Sequence, residues 1–279
     1  MIAGQACLHG EPDVKILVRG SGDVASAVVH RLFVLGHRVL IHELAQPTHI
    51  RRGMAFTDAV FDGKADLAGV WAKCPRTQAD LARMLACGRA IPVFTGALAE
   101  ALDLLHPDVL VDARMQKRSL PEAQIGLAPL VIGLGPNFTA GMQVDVAIET
   151  AWGESLGRIL RAGTTQPLAG EPRLIEGLGR ERCVYAQEAG ILHARVAIGD
   201  WIDAGAAVAT LNDSTITAPV SGHVRGICHG EVAVAAGTKI LEIDPRRENA
   251  SLFGLGERPL RIAEAVLKAV EARSPDIAA

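Results

Sequence analysis

Gly20, Gly22 and Ala25 follow the order G-x-G-x-x-A inside "VKILVRGSGDVASAVV", residues 14–29. The two glycines permit a tight turn and close approach of a pyrophosphate to the backbone. A small third residue lets the following helix pack on its strand. The turn residues Gly20, Ser21, Gly22, Asp23 and Val24 would then line an anion at the positive end of a helix. Glu43 lies 23 positions after Gly20, where a carboxylate can accept hydrogen bonds from ribose hydroxyls. Asp23 is unusual in such a turn. It reads either as a helix cap or as a partner for a ligand hydroxyl, an amine or a bridging metal ion.

Arg51 and Arg52 follow in "LAQPTHIRRG". Paired guanidiniums suit phosphate or carboxylate groups; the alternative is a solvated basic loop. His42 and His49 are near in sequence, but no third ligand accompanies them and no metal site is expected. Further on, "DARMQKR" (112–118) and "GLGPNFTAG" (133–141) stand where strands exit. Arg114 and Asn137 are the candidate ligand contacts there, with Asp112, Lys117, Arg118 and Thr139 nearby. There is no G-x-S-x-G elbow, P-loop lysine signature or His-Glu-x-x-His. No histidine has an acid partner evident in the sequence, which weakens the reading of a dehydrogenase.

These residues need elements to position them. Continuous apolar runs at 14–19, 38–43, 90–95, 108–113, 130–135 and 144–150 predict strands covered on both faces. Helix-period segments lie between several of them, including one with Val24, Val28 and Leu32 on a single face, and others at 77–86 and 96–105. Alternation of this kind predicts an α/β fold with a Rossmann-like, doubly wound, mostly parallel sheet over residues 1–163. Residues 164–182 are rich in Gly, Pro and charge and read as a linker or an irregular crossover. Residues 183–248 read as a small all-β module, and 249–279 as a C-terminal helical segment with its amphipathic stretch at 258–273.

About half of the 279 residues are hydrophobic and the formal net charge is −3. That balance excludes a general nucleic-acid binder. Five scattered cysteines, the absence of a signal-peptide pattern and the absence of a spanning apolar run lead us to expect a reduced, cytoplasmic protein with no membrane partner. The apolar content is compatible with a homodimer.

The β module resembles the biotinyl/lipoyl carrier fold, a barrel-sandwich. The resemblance rests on Gly199-Asp200, Gly205, Ala218-Pro219, Gly222, Gly230 and Gly237. The hairpin that bears the modified lysine in carriers falls here at Asn212, Asp213, Ser214 and Thr215, none of them lysine. No covalent biotin or lipoyl group is therefore expected.

Taken together, the chain resembles the accessory proteins of the selenium-dependent molybdenum hydroxylase system. This resemblance rests on the segment from Val18 to Gly63, on "VDARMQKR", on "IGLGPNFTAG" with "VDVAIET", and on "IGDWIDAG", "APVSGHVRGI" and "GTKILEIDPR". It implies a maturation factor that engages a molybdenum hydroxylase apo-enzyme. With the glycine turn and Glu43, the expected ligand is a small dinucleotide, molybdopterin cytosine dinucleotide in the context the resemblance implies, or NAD(P). An NAD(P)-dependent oxidoreductase and a non-catalytic docking scaffold are the alternatives.

Overall fold

Successive residues of the first apolar run point to opposite faces of one sheet, and both faces are covered. In β1 (Lys15–Arg19), Ile16 and Val18 enter one core cluster and Leu17 enters another. The same alternation recurs in β2 (Arg38–His42), where Val39 and Ile41 oppose Leu40. This is why the runs are continuously apolar rather than half polar. The computed structural model describes residues 14–116, 120–168 and 172–273.

Helix α1 (Asp23–Val34) follows β1 and buries Val24, Ala25, Val28, Val29 and Leu32. It stops in a Schellman arrangement. Gly36, at φ +91°, donates to Phe33 O, and His37 N–H donates to Leu32 O. After β2 come a 3₁₀ turn (Arg52–Met54), α2 (Asp58–Asp62) and a hairpin of β3 (Lys64–Leu67) and β4 (Val70–Lys73). Neither α2 nor the hairpin is expected from the sequence, because their exposed positions interrupt the apolar pattern. The chain continues with α3 (Gln78–Cys87), β5 (Ile91–Phe94), α4 (Leu98–Leu105), β6 (Val109–Asp112) and β7 (Leu130–Leu134). Next come β8 (Thr139–Ala140), β9 (Val146–Ile148), β10 (Ile159–Leu160) and β11 (Gly163–Thr164).

The large sheet has nine strands in the order β10-β9-β7-β6-β1-β2-β5-β4-β3. From β9 to β4 every neighbouring pair is parallel, and β10 and β3 are antiparallel edges. The chain moves outward from β1 through β2, then returns to β6 on the other side. The order therefore reverses between β1 and β6, and the carboxyl ends of strands at such a reversal are where open α/β sheets take their ligands.

The second half folds differently. Strands β12 (Cys183–Tyr185), β13 (Gly190–Ala194), β14 (Trp201–Ile202), β15 (Ala207–Leu211), β16 (Ser214–Thr217), β17 (Gly222–Ile227), β18 (Val232–Val234) and β19 (Lys239–Asp244) form two antiparallel sheets. Their orders are β12-β19-β17-β14 and β16-β15-β13-β18. One core, including Leu192, Val208, Leu211, Val224, Val232 and Ile243, is shared by both sheets. The segment expected as a linker contains part of β11, a bridge between Ile175 and Leu178, and a 3₁₀ turn at Arg180–Arg182.

The C-terminal helix α5 (Glu257–Glu271) packs on α1 and supplies Ile262, Ala263, Val266 and Val270 to the core of the large sheet. Arg31 near the end of α1 pairs with Glu264 at 2.7 Å, while Asp23 at its start is an electrostatic neighbour of Arg258. The two helices thus run in the same direction, and both first turns reach the same edge of the fold. No helix among the described residues is long and apolar enough to cross a membrane.

Candidate functional site

Gly20 stands at φ +108°, and a Cβ there would lie 3.1 Å from Ala113 O and 3.2 Å from Arg114 Cα. Conformation and space both demand glycine. This contact also places the turn directly beside the exit of β6. Ser21 N–H and Ser21 Oγ donate to Glu43 Oε2 at 2.7 and 2.8 Å. Thr57 and Ser26 hydroxyls both donate to Ser21 O, and Ser26 Oγ accepts from Phe56 N–H. A buried polar lattice therefore fixes the turn before any ligand arrives.

Glu43 is buried and its oxygens face inward: Oε1 accepts from Leu44 N–H, and Oε2 lies 3.0 Å from His49 Nε2. Burial raises the carboxyl's pKa, but the His49 bond and charge, with Leu44 and Ser21, outweigh it and hold it below its ordinary value. The acid expected at the ribose position is thus already engaged, with His49 as the one partially exposed partner. The His49 ring also covers Gly22, whose Cβ would meet it at 3.1 Å. His49 with Glu43 is a histidine with a placed acid, which corrects the expectation that the chain lacks one. They stand six positions apart, on a strand end and a returning loop, so sequence spacing gives no cue.

Gly22, not Asp23, is the N-cap of α1, and no side-chain cap bond forms. Asp23 instead occupies the first turn, where a carboxylate complements the helix dipole. Its Oδ1 accepts from Val24 N–H and its Oδ2 pairs with Arg51 at 3.0 Å. Arg51 and Arg52 part company. Arg51 turns to Asp23, and its Nη2 reaches Met54 Sδ at 2.8 Å. Arg52 grips both oxygens of Asp58 at 2.7 Å and donates to Ile227 O, holding the β module.

Across the reversal point, Arg114 forms a fork onto Asp112, with Nε at 3.0 Å and Nη2 at 2.6 Å. Gln124 donates to the same carboxylate, and Arg19 lies 3.9 Å from it. Burial opposes ionisation of Asp112, but Arg114, Arg19 and Gln124 prevail and lower its pKa. The exposed Glu122 bridges Arg19 and Arg114. Asn137 sits in the loop after β7 at φ +65°, beside the cis Gly135–Pro136 bond. It shares the carboxyl edge, with no bond drawing it to the glycine turn. Lys117 and Arg118 lie outside the described residues.

The loop carrying His49 and Arg51 is itself held by the β module. Ile227 N–H donates to Ile50 O at 2.9 Å, Cys228 Sγ reaches Thr48 O, and Phe61 stacks on His229 with centroids 4.1 Å apart. Residues that sequence reasoning missed are Arg258 of α5, whose Nε donates to Thr150 O at 2.7 Å, and Arg225 of β17. Both come from segments more than 170 positions away from Arg51. Among the described residues no group of three or more His, Cys, Asp or Glu is placed to hold a metal ion.

Fold and site together define a mixed α/β protein with a large, mostly parallel sheet, a C-terminal helix and an antiparallel β module that holds the loop after β2. No family model matches the chain. The Escherichia coli (strain K12) protein called "Uncharacterized protein YqeB" is 37% identical over 255 residues. That match covers 91% of this chain, which spans about half (47%) of the length of YqeB.

Proposed function

We propose that the crevice between β1 and β6 binds a dinucleotide and that the chain acts as a maturation factor for a molybdenum hydroxylase. The observation that carries the reading is the glycine turn at the point where the strand order reverses. The first turn of α1 is pre-set there by a buried polar lattice, and the ends of β1 and β6 meet at Gly20 and Ala113. First-turn N–H groups have no intrahelical carbonyl acceptor, and this is the geometry in which they serve a pyrophosphate; in α1 the Val24 N–H is held by Asp23 Oδ1, which a ligand would displace. The order β5-β2-β1-β6-β7-β9 matches a Rossmann-like sheet. The two facing antiparallel sheets with one core support a biotinyl/lipoyl-like reading of the module. Its two-residue hairpin loop, Asn212–Asp213, carries no lysine, so the module acts by docking rather than by carrying a group.

The hydroxylase context comes from the sequence resemblance, and molybdopterin cytosine dinucleotide is the ligand it favours. His49 with Glu43 gives the NAD(P)-dependent oxidoreductase reading a proton-transfer candidate. That pair stands at the end of β2, however, on the ribose side of the crevice rather than over β6 and β7 where the second half of a dinucleotide would lie. In the favoured reading, a ribose hydroxyl displaces His49 from Glu43. Calorimetric titration of the intact chain with molybdopterin cytosine dinucleotide and with NAD(P) tests this. Saturable binding of the molybdenum ligand is expected. NAD(P) binding with redox turnover, and no binding of the molybdenum ligand, would replace the reading with the oxidoreductase.

A further inference from the structure

Arg51 is poorly satisfied for a largely buried guanidinium. One nitrogen meets Asp23, a second meets the thioether of Met54, a weak acceptor, and its buried Nε has no partner. Arg225 is in a similar position. It stands at a bulge of β17, between the Val224–Ile243 and Gly226–Glu242 pairs, and bulges re-aim side chains. Its Nη1 reaches Asp244 at 2.8 Å, and its buried Nε lies 3.3 Å from Glu242 Oε1, an ion pair without hydrogen-bond geometry. The carboxylates near it are already shared. Asp244 also holds Arg246 through two nitrogens, and Glu242 holds Arg182 and Lys239. Four cations therefore surround two carboxylates on this side.

Arg258 completes the group from α5. Its Nε bond goes to a neutral carbonyl, Thr150 O. The nearby Glu149 is spent on the N–H groups of Thr150, Ala151 and Gln166. Arg225 adjoins Gly226, whose Cβ would lie 2.8 Å from Ile50 O, and Arg258 lies two positions after Gly256, whose Cβ would lie 3.2 Å from Met54 Cε, so both segments approach the Arg51 turn. Burial is the first cause that pushes both arginines below their ordinary pKa; repulsion from Arg51 adds to it for Arg225, whereas for Arg258 attraction to Asp23 opposes it ahead of the Arg51 repulsion. Gathering like charges away from water is costly unless an anion joins them.

We propose that Arg51, Arg225 and Arg258 form a phosphate-binding site at the seam between the large sheet and the β module, suited to a pyrophosphate group. Three guanidiniums supply forked donors in excess of the local carboxylates, and phosphate geometry accepts such forks. The site deepens the dinucleotide reading by giving its pyrophosphate a second wall opposite α1. A ligand seated there touches the β2 loop, the module and α5 at once, so binding tightens the seam between the two halves.

The test is calorimetric titration of the intact chain with inorganic pyrophosphate at constant ionic strength, for wild type, Arg225→Gln and Arg258→Gln. Each lost charge-assisted contact is expected to weaken pyrophosphate about tenfold or more. Arg225 has a structural partner in Asp244. Arg258→Gln, which gives up one carbonyl bond, is the variant that keeps its fold, verified by an unchanged melting curve. Absence of pyrophosphate binding to the wild type, or undiminished binding to a folded Arg258→Gln, overturns the site. Pyrophosphate binding that Arg258→Gln weakens, without any dinucleotide binding, leaves the site standing and removes the dinucleotide reading. Dinucleotide binding that is equal in wild type and both variants does the reverse.

Discussion

Two arginine–carboxylate groups flank the end of β1, and they are built to different standards. On the β6 side, Asp112 accepts from the Arg114 side chain, the Arg114 backbone N–H and the buried Gln124 of the β6–β7 connection. On the α1 side, Arg51 has one partly exposed carboxylate, a thioether and an idle Nε. A saturated buried pair holds structure together, and removing one member leaves an uncompensated charge. An under-satisfied guanidinium at a helix N-terminus is instead ready for an anion. The first group holds the strand ends in place, and the second belongs to the proposed anion site.

The largest expected effect follows from breaking the saturated group. Asp112→Ala leaves Arg114 with only the exposed Glu122 as a carboxylate partner and should cost about 3 kcal/mol in urea unfolding; a loss below about 1 kcal/mol would erase the distinction between the two clusters. Acid sensitivity comes next. Lys239 and Arg182 outweigh burial and hold Glu242 down at a pKa of about 2, against an ordinary 4.5. A depressed carboxylate stabilises the fold above its unfolded pKa, and that stability is lost as pH falls through the folded value. Stability should therefore fall by about 3 kcal/mol between pH 4.5 and pH 2 from this group. Glu242→Gln should flatten that limb of the stability–pH curve.

Gly20→Ala should destabilise by about 1–3 kcal/mol, since it forces a positive φ and crowds Ala113. A neutral result would mean the turn is not locked to β6. The smallest effect on stability belongs to Asp23→Asn. The pair it breaks is partly exposed, so the change should stay under about 1 kcal/mol. Yet removal of its charge should tighten pyrophosphate a few-fold, and weaker binding instead would make Asp23 a ligand contact rather than a stand-in counter-ion.

Local chemistry was legible in the chain. The apolar runs predict the central strands to within about two residues because burial on both faces leaves no polar position to blur them. Gly20 and Gly36 mark their turns because only glycine sits easily at positive φ. The β texture after Cys183 reads correctly for the same local reasons, and α5 shows its buried stripe in advance. Function was legible only as far as a glycine turn and an acid at the right spacing.

What the sequence could not supply is everything that depends on which distant segments meet. That α5 lies beside α1, that the module grips the 48–52 loop, and that Arg258 and Arg225 gather near Arg51 are outcomes of packing between elements far apart in the chain. Glu43 shows the limit most plainly. Its position predicts a ribose acceptor, but only the tertiary structure decides that Ser21 and His49 already occupy it. Periodicity and glycine encode backbone shape residue by residue, whereas the partner of a buried charge is chosen by whatever the finished fold brings within about 3 Å.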